Sequence, residues 1–246
     1  MSDSTCIDCH HCGLRGLCLP GRVVSEHQER LQQLRIRRGR ATAGQWLFRP
    51  GESVFSLFAV RSGCVKEVTT PSYGASHTES IVGFTLPGEV LGLSNAGAAR
   101  CLSGAQAVAN SQYCEIPWSA FRQLCAESLQ VSEELLQLLA RATLISQQAL
   151  TLMRGKDALA QVASFLCNLS ERLAQRGLHA HEFRLSMTRL DIAHYLGLTA
   201  ETVSRCFTEL SKRGLIEVQA KYVRLLQHTG LQRLFDGETH LPAMAG

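Results

Sequence analysis

Apolar residues recur at alternating steps of four and three through the stretch from Ser128 to Met153, SLQVSEELLQLLARATLISQQALTLM. They are Val131, Leu135, Leu138, Ala142, Ile145, Ala149 and Leu152. The stretch holds no Gly and no Pro. That is the a/d heptad stripe of a helix that packs along a second helix, and it predicts a dimer seam. A second apolar row, Leu136, Leu139, Leu150 and Met153, lies beside the first. One row can meet a partner while the other covers the helix's own domain. The same stripe also suits a helix buried inside one domain, and a seam this short leaves that alternative open.

Either side of this helix the pattern changes. From Ile36 to Ile116, short apolar runs such as VFSLFAV alternate with Gly or Pro, among them Gly39, Gly44, Pro50, Gly51, Gly63, Gly83 and Gly92. Many short strands between turns predict a compact all-β barrel or sandwich. Upstream, Val23 to Leu34 reads as a short helix with Ser25 as a candidate N-cap. The basic run Arg35, Arg37, Arg38 and Arg40 reads as a solvated strand edge. Downstream of the strands, a short helix holds Phe121 and Leu124. The seam helix follows it, with Gly155 as a hinge candidate.

The last third has its own pattern. Asp157 to Gln175 is an amphipathic helix presenting Leu159, Val162, Ala163, Leu166 and Leu169. Thr188 with Asp191 three residues on is a capping-box signal that opens a short helix through Leu196. Gly197 permits a tight turn, and Thr199 caps a second helix from Ala200 to Arg213, closed by Gly214. Two short helices joined this way form a helix-turn-helix whose second helix can enter a major groove. Leu215–Val218 and Tyr222–Leu226 read as a β-hairpin wing.

Charge adds little: the net is +4, with eleven Lys and Arg against seven Asp and Glu between Lys156 and Arg233. That is compatible with nucleic acid without requiring it. No apolar run approaches the roughly 18 residues needed to cross a bilayer. The N-terminus MSDSTCIDCHHC lacks a signal-peptide core. The expected location is cytoplasmic, with no membrane partner. In a reducing cytoplasm ten cysteines are not a disulfide framework.

Four of them, Cys6, Cys9, Cys12 and Cys18, crowd into the first eighteen residues. Short spacings let thiolates converge on one soft metal centre. Cys9, Cys12 and Cys18 follow C-x2-C-x5-C, and no second C-x2-C pair follows to complete a zinc ribbon. An iron–sulfur cluster tolerates uneven spacing but needs a fourth ligand, either Cys6 or a residue far along the chain. His10 and His11 read as solvated.

Three stretches, DCHHCGLRGLCLP, CEIP at Cys114 and MTRLDIAHYLGLTAETVSR, make the chain resemble the FNR branch of the CRP/FNR superfamily of bacterial transcription regulators. The resemblance runs from about Cys9 to about Arg233. It implies an α+β fold: an N-terminal β-roll sensor domain of the cyclic-nucleotide-binding kind, a long dimerisation helix and a C-terminal winged helix-turn-helix domain. The expected boundaries are 1–22 for a cysteine-rich cluster-binding segment, 23–127 for the β-roll, 128–155 for the dimerisation helix, 156–235 for the DNA-binding domain and 236–246 for a tail.

Carried over, the ligands of a [4Fe-4S] cluster are Cys9, Cys12, Cys18 and Cys114, and Cys6 is a spare thiol. The resemblance further implies an oxygen-responsive regulator, not an enzyme, whose intact cluster favours the DNA-binding homodimer. Its DNA-binding residues are Glu201, Ser204 and Arg205, with Thr199 and Thr202 at the start of the same helix. The implied partners are double-stranded DNA with palindromic TTGAT-like half-sites and RNA polymerase. Glu201 and Arg205 also have the spacing of a plain surface ion pair.

Two features depart from related patterns. Relatives that bind cyclic AMP carry an Arg-Ser/Thr-Ala phosphate cassette, and here the matching stretch reads CLSGAQA, so no cyclic nucleotide is expected. The loop TPSYGASHTES, which in FNR-type activators helps contact RNA polymerase, has no acidic residue before Glu79. Between Ala142 and Met153 the seam helix carries no charge, where FNR-type relatives often place an acid that drives subunits apart. That predicts a dimer less dependent on its cluster. The rivals are a metal-free thiol-redox regulator of the same fold and an iron–sulfur redox enzyme. The enzyme would need a P-loop or a G-x-G-x-x-G, neither of which occurs.

Overall fold

The computed structural model describes residues 9, 12–14, 17–18, 34, 36–53, 56–69, 80–96, 98–153 and 157–236. The helix expected from Val23, the residues Cys6, His10, His11, Arg35 and Gly155, loop residues 70–79 and the tail from 237 lie outside the described residues. The chain divides into two compact units, Met1–Leu144 and Ile145–Gly246.

The first unit holds two four-stranded antiparallel sheets. One runs β1 (Arg37–Ala41), β8 (Ser111–Pro117), β3 (Ser56–Ser62) and β6 (Val90–Leu91). The other runs β2 (Trp46–Phe48), β7 (Ser103–Ala107), β4 (Val65–Thr69) and β5 (Ser80–Thr85). This is the expected β-roll. Its strands are short because the turn residues recur so often. Phe48 stacks on Phe58 at 5.4 Å, and Tyr113 meets Phe58 edge-on at 5.5 Å. Gly39, opposite Tyr113 in the β1–β8 ladder, leaves room for that ring. A Cβ at Gly39 would lie 2.3 Å from it.

Helices α1 (Trp118–Glu127) and α2 (Leu129–Met153) follow β8. Phe121 and Leu124 are buried, as the apolar pattern of α1 predicts. α2 corrects part of the seam. Val131, expected between subunits, is 1% exposed within the single chain. It packs with Leu57, Ile116, Phe121 and Leu124, and Leu135 and Leu138 pack partly buried on the same cluster. The neighbouring row is the exposed one here, with Leu136 at 65% and Leu139 at 37%. A helix turns once every 3.6 residues and a heptad stripe needs 3.5, so the pattern marks a stripe without saying what covers it. Ala142 is half-buried. The side chains of Ile145, Ala149 and Leu152 lie outside the described ones.

The second unit is built on α3 (Ala158–Ala174), which packs against α5 (Ala200–Lys212) and α6 (His228–Asp236). Asp157 caps α3, its carboxylate accepting from the Ala160 amide at 2.7 Å. α3 is buried on more than the expected face: Phe165, Cys167, Gln161, Ser164 and Ser170 are buried as well. Between α3 and α5 lies α4 (Arg189–Leu196). The wing is a three-stranded sheet, β10 (Ile216–Gln219), β11 (Tyr222–Leu225) and β9 (Glu182–Arg184), rather than a hairpin alone. β9 and α6 were not expected from the sequence. Three residues such as Glu182–Arg184 are too few to show a period of two.

Candidate metal centre and nucleic-acid interface

Cys114 sits in the middle of β8, with Ala59 of β3 across from it on one side and Arg38 of β1 on the other. Cys9, Cys12 and Cys18 come from the N-terminal strip. There the Cys12 amide donates to the Cys9 carbonyl at 3.3 Å, and the Cys18 amide to the Leu14 carbonyl at 3.0 Å. Cys9, Cys18 and Cys114 are buried and Cys12 is half-buried. Cys18 and Cys114 share one buried cluster, although about a hundred residues of chain separate them.

Cys9 and Cys114 lie close enough to the other thiols to feel their charge. Burial pushes the Cys9 thiol up to about 11, and Cys18, Cys114 and Cys12 push it the same way while Arg38 pulls it down. Burial likewise pushes Cys114 up to about 11. Arg61 and Arg38 oppose that rise, and Cys18 and Cys12 add to it. Such thiols stay protonated near neutral pH and are weak nucleophiles until a metal displaces the proton. Among the described residues, no three His, Cys, Asp or Glu side chains converge tightly enough to hold a single metal ion. By their chemistry, four cysteine thiols are a donor set that an iron–sulfur cluster takes. The residues present fit that group.

The apolar backing of this centre reaches α2. Cys18 and Cys114 belong to the same buried cluster as Ile116, Phe121, Leu124 and Val131, with Leu135 and Leu138 packed on it. The cysteines are thus part of the surface on which the first turns of α2 rest.

The stretch CLSGAQA lies in and just before β7. Ser103 donates its hydroxyl to the Glu67 carboxylate at 2.6 Å, and Ser94 donates to the same oxygen at 2.5 Å. An anionic side chain thus occupies the one hydroxyl, that of Ser103, in the stretch that matches the phosphate cassette. This acid was missed in the sequence because β4 and β7 become neighbours only in the sheet.

In the second unit, Thr188 accepts from the Asp191 amide at 3.1 Å while Asp191 accepts from the Thr188 amide at 3.0 Å. This is the expected capping box. Gly197 closes α4 at φ 68°, a left-handed conformation that suits glycine. Thr199 caps α5, accepting from the Thr202 amide at 3.1 Å, and its hydroxyl also bonds the Thr202 hydroxyl at 2.8 Å. Val203, Cys206, Phe207 and Leu210 bury one face of α5. Glu201, Ser204 and Arg205 lie exposed on the other, and Thr202 is half-buried. Ser204 donates to the Ala200 carbonyl at 2.8 Å. Glu201 and Arg205 are ion-paired with each other. The Arg189 guanidinium lies 3.4 Å from the centre of the Phe207 ring, a cation–π contact that ties α4 to α5. A helix with one face anchored and the other polar and open is the shape that enters a major groove.

Comparisons with known proteins agree with both halves. A family model described as a cyclic nucleotide-binding domain matches residues 38–128, and one described as a Crp-like helix-turn-helix domain matches 160–234. The transcriptional activator protein FnrA of Stutzerimonas stutzeri is 39% identical, covering 93% of this chain and 93% of its own. The chain belongs to the FNR branch of the CRP/FNR superfamily. Another FNR-branch relative, the fumarate and nitrate reduction regulatory protein of Escherichia coli, is 35% identical over 95% of this chain and 92% of its own. The solved structure of FixK2 from Bradyrhizobium japonicum matches at a TM-score of 0.73 and 25% identity. That match covers 85% of this chain and 99% of FixK2. The relatives matched over most of the chain are, by name, regulators.

Proposed function

We propose that this FNR-branch protein is an oxygen-responsive, DNA-binding transcription regulator that carries a [4Fe-4S] cluster on Cys9, Cys12, Cys18 and Cys114. The observation that carries this reading is that three of the four thiols are buried and that two of them from distant segments, Cys18 and Cys114, share the apolar cluster that also seats α2. When bound, the cluster supplies iron–sulfur bonds that dioxygen destroys. The chain's own residues do the rest. The four thiolates tie the N-terminal strip to β8, and Cys18, Ile116 and Phe121 form one packed surface with Val131. A ligand stabilises the state it binds better, so a group holding that strip in place biases the position of α2 and with it the homodimer.

The output is read by α5. Glu201 accepts from a cytosine amino group and Arg205 donates to guanine O6 and N7, with Ser204 between them and Thr202 beside them. Thr199 acts by capping the helix whose amides face the backbone phosphates. A homodimer reads a palindrome of TTGAT-like half-sites and works with RNA polymerase. The Glu67 carboxylate on Ser94 and Ser103 supports a regulator that takes no cyclic nucleotide. No described helix is long and apolar enough to cross a membrane. A regulator that binds DNA works in the cytoplasm.

The test is an anaerobic absorption spectrum of the purified protein with DNA binding measured before and after air. A broad brown band that bleaches together with loss of DNA binding is expected. A colourless protein that binds DNA in a thiol-dependent way would replace this reading with a metal-free redox switch.

A further inference from the structure

The cysteine centre is framed by two cations that the ligand set does not include. Arg38 stands directly across from Cys114 in the β1–β8 ladder, and paired residues in a ladder project to the same face. On the other flank Ala59 stands across from Cys114. Two residues further along β3, the register slips between Val60 and Ser62, so that Arg61 is left without a cross-strand partner. A bulge of this kind re-aims a side chain. Both arginines lie within charge range of Cys114, and Arg38 within charge range of Cys9. The ion pairs of the described residues join other side chains, and among those residues no carboxylate is paired with Arg38 or Arg61. Arg37, one residue from Arg38, faces the other way, across from Glu115.

We infer that Arg38 and Arg61 are charge-compensating residues of the cysteine centre, which offset the negative charge of four thiolates and slow oxidation of the cluster held there. The inference rests on the cluster reading above and adds the residues that set its lifetime. The thiols are mostly buried while Arg38 is exposed and Arg61 half-buried, so their attraction is screened less than that between two exposed charges. Four thiolates bring four negative charges to one place, and two fixed guanidiniums make that arrangement less costly. Oxidation moves one electron from the centre to dioxygen, which becomes superoxide, and the centre gains one positive charge. Cations on its rim oppose that gain, so removing them speeds the step.

The experiment uses full-length protein, reconstituted under argon with iron and sulfide, as wild type and as the double variant Arg38→Gln/Arg61→Gln. Bleaching in air-saturated buffer should be about threefold faster or more in the double variant. Its iron should also pass sooner to the neutral chelator bipyridine under argon. Wild-type bleaching should quicken with added salt more than that of the double variant. Arg38→Lys/Arg61→Lys keeps the charge and should bleach close to the wild-type rate. Arg37→Gln removes the same charge from the opposite face and should leave the rate unchanged. Circular dichroism of the apoproteins confirms folding, and the singles Arg38→Gln and Arg61→Gln serve if the double variant does not fold.

A wild-type protein that takes up no cluster overturns the cluster reading itself. A wild type that loads, with the glutamine variants bleaching and losing iron at its rate or slower, overturns this inference alone. So does an Arg37→Gln protein as labile as the double variant, or a lysine pair as labile as the glutamine pair.

Discussion

Glu201 and Arg205 are joined by an ion pair one turn apart on the exposed face of α5, with 74% and 77% of their side chains open to solvent. The surface pair and the proposed base readers are therefore the same two residues. An exposed pair of this spacing contributes roughly 0.3–0.5 kcal/mol, so parting it for a base contact costs little. Arg205→Ala should weaken binding to the palindromic site by ~1–3 kcal/mol and relax one base position. Competition binding against single-base variants checks this. Equal weakening on every sequence, with a shallower salt dependence, would reassign Arg205 to a phosphate contact.

The reciprocal bonds between Thr188 and Asp191 satisfy two amides at the start of α4. Thr188→Ala should lower stability by about 1 kcal/mol, while Thr188→Ser keeps most of it. The readout is the urea midpoint of the full-length protein. An unchanged midpoint would mean the cap adds nothing to the folded state.

The two apolar rows of α2 should separate under substitution. Val131 is sealed inside the first unit, so Val131→Ala should cost roughly 1–3 kcal/mol of stability and leave subunit association to whatever fold survives. Leu136 is 65% exposed in the single chain, so Leu136→Glu should leave stability within about 0.5 kcal/mol and weaken the dimer. Thermal melts and sedimentation equilibrium measure the two effects. A Leu136→Glu protein that associates as wild type does would move the dimer contact off this row.

From Ala142 to Met153 α2 carries no charged residue. Two such helices brought together meet no like-charge repulsion, so the metal-free protein should remain dimeric. Light scattering of apoprotein at micromolar concentration reads this directly, and a clean monomer would count against it.

Much of the second unit is legible from single residues. Thr188, Asp191, Gly197 and Thr199 act on amides or dihedrals within a few positions of themselves, so their local signals survive folding unchanged. The expected α5 end at Arg213 and the observed one at Lys212 differ by one residue. The third wing strand was not legible, because Glu182–Arg184 becomes a strand only through pairing with Tyr222–Arg224. Of the centre in the first unit, the cysteines were legible from their spacing and the resemblance. Arg38, Arg61 and Glu67 were not, since cross-strand register is set by turns and pairing outside each residue's neighbourhood.

The sequence by itself determined most of the helices and strands, and the caps and turn glycines that bound the helix-turn-helix. Those choices follow from periodicity, backbone dihedrals and side-chain type, all of them local. Only the tertiary structure decided that Val131 belongs to the β-roll core and leaves Leu136 exposed. It alone set Arg38 opposite Cys114, and it closed the Glu67 carboxylate onto Ser94 and Ser103. The reason is that burial and charge depend on what lies across a sheet or beneath a helix. An apolar stripe or a basic run has the same appearance in the chain whichever neighbour it meets.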